Sequence, residues 1–357
     1  MNRNVLVTLF VFMVSIGIIG CEKAPNAGGS PSNNGDKAAV NTSLAGNVNV
    51  DGSSTVEPIS NRAKEMFNES FPKVNIAVSG EGTGNGFKAL SGKECDFSDA
   101  SRPIKKKELD LCTNAGVNFY EIPVAYDGLT IAVNNDNDFV KELTVDQLKM
   151  IFREDMAAKT WKEVNDAWPD KKIAIFAPGV QSGTHDYFVE VIGKKDGKKL
   201  RSPADGQTML SEDDKVLVTG VKNDKYAIGF FGFSYYDANK DELKAVPIVN
   251  PKTSSSVTPS MATIESGDYA PFSRPLFIYV NTESYPKAQV KEFVDFYLEN
   301  IVQIVKEASY VPLPSEVYAA AKDRIAKDMP GTHYLDAEGN KREGGVTVVY
   351  KPENLPQ

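Results

Sequence analysis

The stretch NVNVDGSSTVEPISNRAKEMF (residues 47–67) decides the fold class, because it changes from the period of a strand to that of a helix. Val48 and Val50 alternate with polar residues, as in a half-buried strand. After a turn rich in hydroxyl groups, apolar residues recur at helical spacing, and Pro58 lies in the first turn, where its missing N–H is not needed. The segment therefore predicts a strand, a turn and a helix, the repeating unit of α/β proteins.

A second unit of the same kind follows. Residues 74–78 (VNIAV) alternate like a strand, SGEGTGNG (residues 79–86) predicts a turn, and apolar residues then return to helical spacing. The alternate glycines match neither the G-x-G-x-x-G pattern of dinucleotide sites nor a P-loop, since no lysine follows them. Such glycines let several backbone N–H groups approach a small anion. A plain glycine-rich turn explains this loop equally well when it is taken alone.

The unit recurs in a distant part of the chain. Residues 173–176 (IAIF) predict a buried strand, and PGVQSGT (residues 178–184) predicts a turn that leads into a helix. Each turn places Ser or Thr at a helix start, where free N–H groups and the helix dipole favour an anion. Ser54 and Ser182 could instead be ordinary helix caps. The recurrence of the unit favours a binding site.

A third loop, DFSDASRPI (residues 96–104), adds a positive charge. The guanidinium of Arg102 can donate two parallel hydrogen bonds to an oxyanion. Its alternative role is a surface ion pair, for which the neighbouring Asp99 is a candidate partner. We therefore expect Arg102 to be the cation that accompanies the hydroxyl-rich turns.

Composition limits the classes of function. The chain has 357 residues, 41% of them hydrophobic and 25% charged, which is typical of a soluble globular protein of two domains or lobes. Its 48 acidic residues exceed its 40 Lys and Arg residues, giving a net charge of −8 and excluding a broad basic surface for nucleic acid. The three Cys and two His residues do not fall at zinc-ligand spacings, so we predict no metal site and no cofactor.

The first residues predict export. Arg3 precedes an uncharged apolar run (residues 5–19) that is shorter than the roughly 20 residues needed to span a bilayer. The run ends in Ile-Ile-Gly before Cys21, which resembles a bacterial lipoprotein signal, so we expect residues 1–20 to be cleaved and Cys21 to carry lipid. An uncleaved anchor helix is the alternative. Residues 21–45 have the Gly, Pro, Ser and Asn content of a flexible tether, and either reading places the body outside the cytoplasm.

Seven segments resemble, in order, the motifs of the phosphate-binding proteins (PstS) of ABC phosphate importers. They are DGSSTVEPI (51–59), GEGTGNGFKAL (80–90), DFSDASRPI (96–104), PVAYDGLTIAVN (123–134), PGVQSGTHDYF (178–188), DKYAIGFFGFSYY (224–236) and SRPLFIYVN (273–281). The resemblance runs from residue 46 to at least residue 320. It implies the type II periplasmic binding fold, in which two lobes, each a mixed sheet flanked by helices, are joined by crossing hinge strands. Residues 46–126 and 274–350 would form one lobe, and residues 127–273 the other.

The resemblance also implies the function. The protein would be a monomeric, lipid-anchored, extracytoplasmic binding protein that captures inorganic phosphate between its lobes and delivers it to the permease of an ABC importer. Only the lipid would contact the membrane. Carried over by motif, together with their neighbours Ser54 and Arg102, the expected phosphate ligands are Ser54, Thr55, the backbone N–H of Val56, Thr83, Ser101, Arg102, Ser182, Gly183 and Thr184.

Two positions depart from the family pattern. The best-known members have a carboxylate where this chain has Ser101, and an arginine where it has Pro178. Arg102 could replace the missing cation. A carboxylate is needed to accept the proton of hydrogen phosphate and to repel an unprotonated dianion such as sulfate. The candidates are Asp99, Asp127 and Asp186, and the sequence does not choose among them.

Other classes of function remain as alternatives. A sensor for phosphate or another tetrahedral oxyanion would use the same binding site. A phosphoester hydrolase is less favoured, because Ser182, His185 and Asp186 are near neighbours on one helix and do not align as nucleophile, base and orienting group. We therefore predict that the protein is not an enzyme.

The two cysteines that follow Cys21 have two interpretations. In an exported chain the pair Cys95 and Cys112 predicts a disulfide. Two buried free thiols are the alternative.

Overall fold

Strands and helices alternate along the chain, as the sequence predicts, in the computed structural model, which describes residues 41–180, 182–193, 197–211 and 213–355. The strands are β1 (Gly46–Gly52), β2 (Val74–Ser79), β3 (Phe97–Ala100), β4 (Phe119–Asn134), β5 (Ala174–Pro178), β6 (Thr208–Ser211), β7 (Ala227–Gly232), β8 (Leu243–Ala245), β9 (Ile248–Val249), β10 (Ser256–Val257), β11 (Ser273–Asn281) and β12 (Val311–Pro312). The helices are α1 (Glu57–Ser70), α2 (Thr83–Ser91), α3 (Lys106–Asn114), α4 (Val145–Phe152), α5 (Trp161–Val164), α6 (Gly183–Ile192), α7 (Asp214–Asn223), α8 (Phe233–Ala238), α9 (Met261–Ser266), α10 (Ala288–Glu299), α11 (Ile301–Glu307), α12 (Ser315–Ala326) and α13 (Val346–Val349).

A mixed sheet organises the body. Within the described ranges its strand order is β2-β1-β3-β11-β4-β7-β5-β6, and β8 and β12 also pair with β4. The pairs β1–β2, β1–β3, β5–β6 and β5–β7 are parallel, whereas β11 runs antiparallel to both β3 and β4. Because helices follow the parallel strands along the chain, the predicted α/β class is confirmed.

Strand β4 joins the two halves of this sheet. Its residues 119–128 pair with β11, its residues 129–133 pair with β7, and every residue of the strand is buried. The antiparallel register places Arg274 of β11 directly opposite Asp127 of β4. Strands β4 and β11 therefore have the arrangement that the family resemblance implies for crossing strands. The lobe boundaries themselves stay a prediction.

The turns that follow β1, β2 and β3 meet at one edge of the sheet. Parallel register places Asp51 beside Ser79, and Gly52 beside Asp99, so the carboxyl ends of the three strands lie together. Gly52 has a φ of +141°, and a Cβ atom there would lie 2.1 Å from the Asp99 carbonyl oxygen. Glycine thus lets the turn after β1 approach β3, where the Ser53 N–H donates to the same carbonyl at 2.9 Å.

The predicted disulfide is not formed. Cys95 and Cys112 are both free and buried in a small apolar cluster with Phe87 and Leu90 of α2. Each thiol packs there as a small hydrophobic group. Burial raises the pKa of Cys112 to about 11 and that of Cys95 further, which suppresses the thiolate needed for disulfide exchange.

The N-terminal predictions fall largely outside the described residues. The signal peptide and Cys21 lie wholly outside them, as does most of the predicted tether. At the end of the tether, the Asn41 N–H donates to the Ser70 carbonyl at 2.7 Å, so residues 41–45 already contact the folded body. Among the described helices, none has the length and apolar character needed to cross a membrane.

Candidate functional site

The three converging turns open onto a cavity of about 610 Å³, here called the turn cavity. It is lined by Ser53, Ser54, Thr55, Glu81, Gly82, Thr83, Gly84, Asn85, Ser101, Arg102, Lys105, Asp186, Val189 and Glu190. Five of the predicted ligand residues are therefore in one place: Ser54, Thr55, Thr83, Ser101 and Arg102. The first four contribute hydroxyl groups from three turns, with Ser54 and Thr55 in the same turn after β1, which is the convergence that the sequence analysis expects.

Hydroxyl groups in the turn cavity are already ordered by one another. The Thr83 Oγ1 atom accepts a hydrogen bond from the Ser101 N–H at 3.1 Å and lies 3.1 Å from the Ser101 hydroxyl. Ser53, which the sequence analysis did not single out, accepts the Thr55 N–H on its Oγ at 3.2 Å. The turns after β1, β2 and β3 therefore present several hydroxyl groups from fixed positions.

The structure does not support Val56 as a ligand. Its N–H donates to the Ser53 carbonyl at 3.0 Å, and the Glu57 N–H donates to the same oxygen at 2.9 Å. Val56 is also fully buried. The backbone here has closed into a turn ahead of α1, so this N–H group has a protein acceptor and is not directed at a ligand.

Arg102 does not have the free fork that the sequence analysis assigned to it. Its Nη1 and Nη2 atoms donate to the two carboxylate oxygens of Glu108 at 2.8 and 2.7 Å. Glu108 is buried and also accepts the Lys105 N–H at 2.9 Å. Burial is the largest single influence and opposes ionisation of this carboxyl group, but the hydrogen bonds from Arg102 and the Lys105 N–H, together with the charges of both residues, outweigh it and hold the pKa of Glu108 below its usual range. Arg102 therefore forms the ion pair that was its alternative role, with Glu108 as partner instead of Asp99.

The remaining three predicted ligands line a second cavity of about 270 Å³, here called the hinge cavity. It is lined by Pro58, Asp127, Gly128, Ser182, Gly183, Thr184, Gly232, Phe233, Tyr235, Ala308, Ser309, Tyr310 and Val311. Ser182 caps α6, because its Oγ atom accepts the Thr184 N–H at 3.2 Å. The predicted ligands are thus divided between two cavities.

The two cavities meet at Thr55. A Cβ atom on Gly183 would lie 3.2 Å from the Thr55 Cα, so the start of α6 packs directly on the turn after β1. The Tyr310 hydroxyl donates to the Thr55 carbonyl at 2.7 Å from the side of the hinge cavity. On the side of the turn cavity, the Ser54 hydroxyl donates to Asp186 of α6 at 3.2 Å.

Arg274 occupies this junction, and the sequence analysis missed it as a site residue. Its Nη2 atom donates to Thr55 Oγ1 at 3.1 Å, its Nη1 to Glu190 Oε2 at 2.7 Å, and its Nε to Asp127 Oδ2 at 3.2 Å. The guanidinium also stacks on the ring of Tyr187, with its carbon 3.7 Å from the ring centroid. The available signal was the arginine in SRPLFIYVN together with the aspartate in PVAYDGLTIAVN, since both segments belonged to the resemblance.

The three candidate carboxylates differ in environment. Asp127 lines the hinge cavity; its burial raises its pKa to about 6, against the opposing charge and hydrogen bond of Arg274. Asp186 lines the turn cavity. Asp99 is fully buried beneath the turn after β1, accepts the Ser60 hydroxyl at 2.7 Å, and has a pKa that burial raises to about 8. Asp127 is therefore the carboxylate placed beside the Arg274 cation.

The geometry does not favour the alternative of a catalytic triad. The Ser182 oxygen caps its own helix, and His185 Nδ1 lies 3.7 Å from Asp186 Oδ1, its neighbour in the chain. A hydrolase needs the serine, the histidine and the carboxylate in series. Across the described residues, no group of three or more His, Cys, Asp and Glu side chains is placed to hold a metal ion.

The chain matches a known protein family over most of its length. Residues 37–300 match a family model described as the PBP superfamily domain. The chain is 43% identical over 311 residues to protein SphX of Synechococcus elongatus, covering 86% of this chain and 89% of that protein. It is 39% identical over 318 residues to the phosphate-binding protein PstS of Staphylococcus haemolyticus, covering 89% of this chain and 96% of that protein.

Two solved structures superpose on most of this chain. The crystal structure of a possible phosphate binding protein from Planctomyces limnophilus superposes with a TM-score of 0.75 at 42% identity, covering 80% of this chain and 99% of that chain. An ABC-type phosphate transport receptor from Vibrio cholerae superposes with a TM-score of 0.55 at 25% identity, covering 75% of this chain and all of that chain.

Proposed function

This chain belongs to the PBP superfamily and, within it, to the PstS phosphate-binding proteins, and from that membership we propose that it binds inorganic phosphate as the substrate-binding protein of an ABC phosphate importer. The observation that carries the proposal is the junction at Arg274. A guanidinium that is only 13% exposed there contacts the hydroxyl of Thr55, one of the five Ser and Thr residues that line the turn cavity. Cations and fixed hydroxyl donors together are what a dehydrated tetrahedral anion requires.

Groups within the site itself balance the negative charge of phosphate. With a net charge of −8, the protein has no general attraction for a dianion, so the site itself must supply it. Arg274 provides the positive charge, and Thr55, Thr83 and Ser101 provide hydroxyl groups. The starts of α2 and α6 add backbone N–H groups at the positive ends of helix dipoles. The ligand roles of Ser54, Ser182, Gly183 and Thr184 belong to this proposal.

Asp127 makes the site select hydrogen phosphate over sulfate. Hydrogen phosphate carries a proton that a carboxylate can accept, whereas sulfate carries none at neutral pH and would meet like charge. Asp127 is buried on β4, and Arg274 fixes one of its oxygens at 3.2 Å. A carboxylate held in this way cannot turn away from an unprotonated anion.

The proposal extends to the cellular setting. Substrate-binding proteins of ABC importers are extracytoplasmic, which agrees with the export signal that the sequence predicts at residues 1–20. We propose that lipid on Cys21 holds the protein at the membrane and that the body works as a monomer. Residues 46–126 with 274–350 and residues 127–273 act as lobes that close on phosphate, and the protein then delivers phosphate to the permease without catalysing a reaction.

Calorimetry with phosphate, arsenate and sulfate tests the proposed function. We expect phosphate and arsenate to bind and sulfate to bind at least about tenfold more weakly, because the fixed carboxylate repels it. Asp127→Asn should narrow the difference between phosphate and sulfate. A parent protein that binds no phosphate, or that hydrolyses p-nitrophenyl phosphate, would overturn the proposal. Loss of phosphate uptake on deletion of the gene tests delivery to an importer.

A further inference from the structure

Glu190 of α6 forms an ion pair with Arg274, the cation that the proposed function assigns to phosphate binding. Its Oε2 atom lies 2.7 Å from Arg274 Nη1, and the residue lines the turn cavity. Charge-assisted contacts of this length are strong ones. In the structure, therefore, a carboxylate of the protein itself takes up a guanidinium nitrogen beside the proposed anion position.

The three partners of Arg274 are not equally free to leave. Thr55 and Asp127 are 4% and 3% exposed, and both lie in segments that are held by the sheet. The Glu190 side chain is 42% exposed and lies on a helix, so it can turn into solvent without disturbing the backbone. Of these partners, Glu190 is the one that can give up its place.

We propose that Glu190 is an affinity-setting residue, an internal carboxylate that competes with phosphate for Arg274 and is displaced when phosphate binds. This inference rests on the proposed function. Phosphate oxygen would replace carboxylate oxygen at Nη1, so the number of hydrogen bonds made by the guanidinium stays the same. Two carboxylates and a dianion around one guanidinium would leave a large excess of negative charge, which is why the exposed carboxylate departs.

The exchange also changes how α6 is held. The contact between Glu190 and Arg274 ties α6 to strand β11, and its loss removes that tie. The Tyr187 ring of α6 still stacks on the guanidinium, and the Tyr187 hydroxyl donates to the Pro271 carbonyl at 2.9 Å. Binding of phosphate therefore loosens, without releasing, a helix whose first residues, Ser182 to Thr184, are themselves proposed ligands. Removal of the competitor should strengthen phosphate binding while it weakens the ligand-free protein.

Glu190→Gln tests this inference, with Glu81→Gln as the matched control. Glu81 is an exposed residue that lines the same turn cavity, so its substitution makes the same change in charge. Glutamine cannot carry the negative charge that pairs with Arg274. We expect Glu190→Gln to bind phosphate about tenfold more tightly than the parent in calorimetry, and Glu81→Gln to stay within about twofold. Thermal unfolding without phosphate should show a lower midpoint for Glu190→Gln.

The opposite signs of these two effects distinguish competition from general damage, which would lower both affinity and stability. Phosphate binding by Glu190→Gln that is equal to or weaker than the parent's would overturn the inference and leave the proposed function standing. An equal gain in Glu81→Gln would also overturn it, since the effect would then be one of overall charge. Failure of the parent itself to bind phosphate would overturn both.

Discussion

Arg102 and Arg274 each pair with one buried carboxylate, Glu108 and Asp127 respectively, but they differ in what their donors do. Arg102 gives both Nη atoms to Glu108, six residues along the same segment. Arg274 divides its three nitrogens among Thr55, Asp127 and Glu190, which come from distant parts of the chain. An arginine that gives both Nη atoms to one nearby carboxylate stabilises its own loop. An arginine whose nitrogens bind partners on several elements can exchange one of those partners for a ligand.

The difference has a local cause. Glu108 lies in the first turn of α3 and accepts the Lys105 N–H as well as the Arg102 fork, so it both caps the helix and holds the loop. Opening that fork would leave the Glu108 side chain, only 5% exposed, without its charge partner. The partners of Arg274 include a carboxylate at the surface, so one of its contacts can be replaced without leaving a buried charge unpaired.

Among these variants, Arg274→Lys is expected to have the largest effect on phosphate affinity. Lysine keeps the positive charge but loses the planar fork that reaches several partners at once. We expect phosphate affinity to fall by at least about a hundredfold in calorimetry, since more than one charged hydrogen bond is lost. Circular dichroism should show a folded protein, because the charge beside Asp127 remains. A phosphate affinity within about threefold of the parent's would show that Arg274 is not the cation of the site.

Ser182→Ala is expected to have the next largest effect. It removes a hydroxyl from the start of α6, and one hydrogen bond to a charged ligand is worth about one to two decades in affinity. It also removes a helix cap, so Ser260→Ala is the matched control: Ser260 caps α9 by accepting the Thr263 N–H at 3.2 Å and lines neither cavity. Both variants should lose stability in denaturant unfolding, and only Ser182→Ala should lose affinity. Equal affinities would show that Ser182 is a cap alone.

Arg102→Ala should change phosphate affinity less than either Arg274→Lys or Ser182→Ala. Because its fork is closed on Glu108, we expect phosphate affinity to change by less than about threefold. The free energy of unfolding should fall by about 1 to 3 kcal/mol, since the loss leaves a buried carboxylate without its partner while Arg102 itself is partly exposed. Titration with urea measures the second effect and calorimetry the first. A large loss of phosphate affinity would show that Arg102 is a phosphate ligand.

Asp99 extends the comparison to a buried carboxyl group whose bonded partner is a neutral hydroxyl. Its folded-state pKa is raised to about 8, above the ordinary value of about 4, so the folded protein binds a proton that the unfolded chain releases. The resulting stability is fully present below about pH 4 and is lost as the pH rises through about 8. Asp99→Asn keeps an acceptor for Ser60 and should flatten the fall in unfolding midpoint between about pH 6 and 8, above the range in which Asp127 titrates. An unchanged slope would contradict this assignment.

The sequence predicts what depends on local pattern. The strand, turn and helix around Ser54, the helix start at Ser182 and the convergence of hydroxyl groups at one sheet edge all follow from periodicity and capping. The Arg274 cluster does not, because its contact with Thr55 joins residues 219 positions apart and depends on the register between β4 and β11. The Glu108 fork was within reach of the sequence, since a glutamate three residues into a helix commonly turns back to the N-terminal loop.

The location of bound arsenate tests the central claim that Arg274, and not Arg102, is the cation of the site. Crystals of the protein grown with arsenate, measured at the arsenic absorption edge, would give the position of the anion directly. We predict an arsenate oxygen about 2.8 Å from an Arg274 nitrogen, with the Thr55 hydroxyl beside it and the contact between Glu190 and Arg274 broken. An arsenic peak beside Arg102, with the fork to Glu108 opened and the contacts of Arg274 unchanged, would contradict the account.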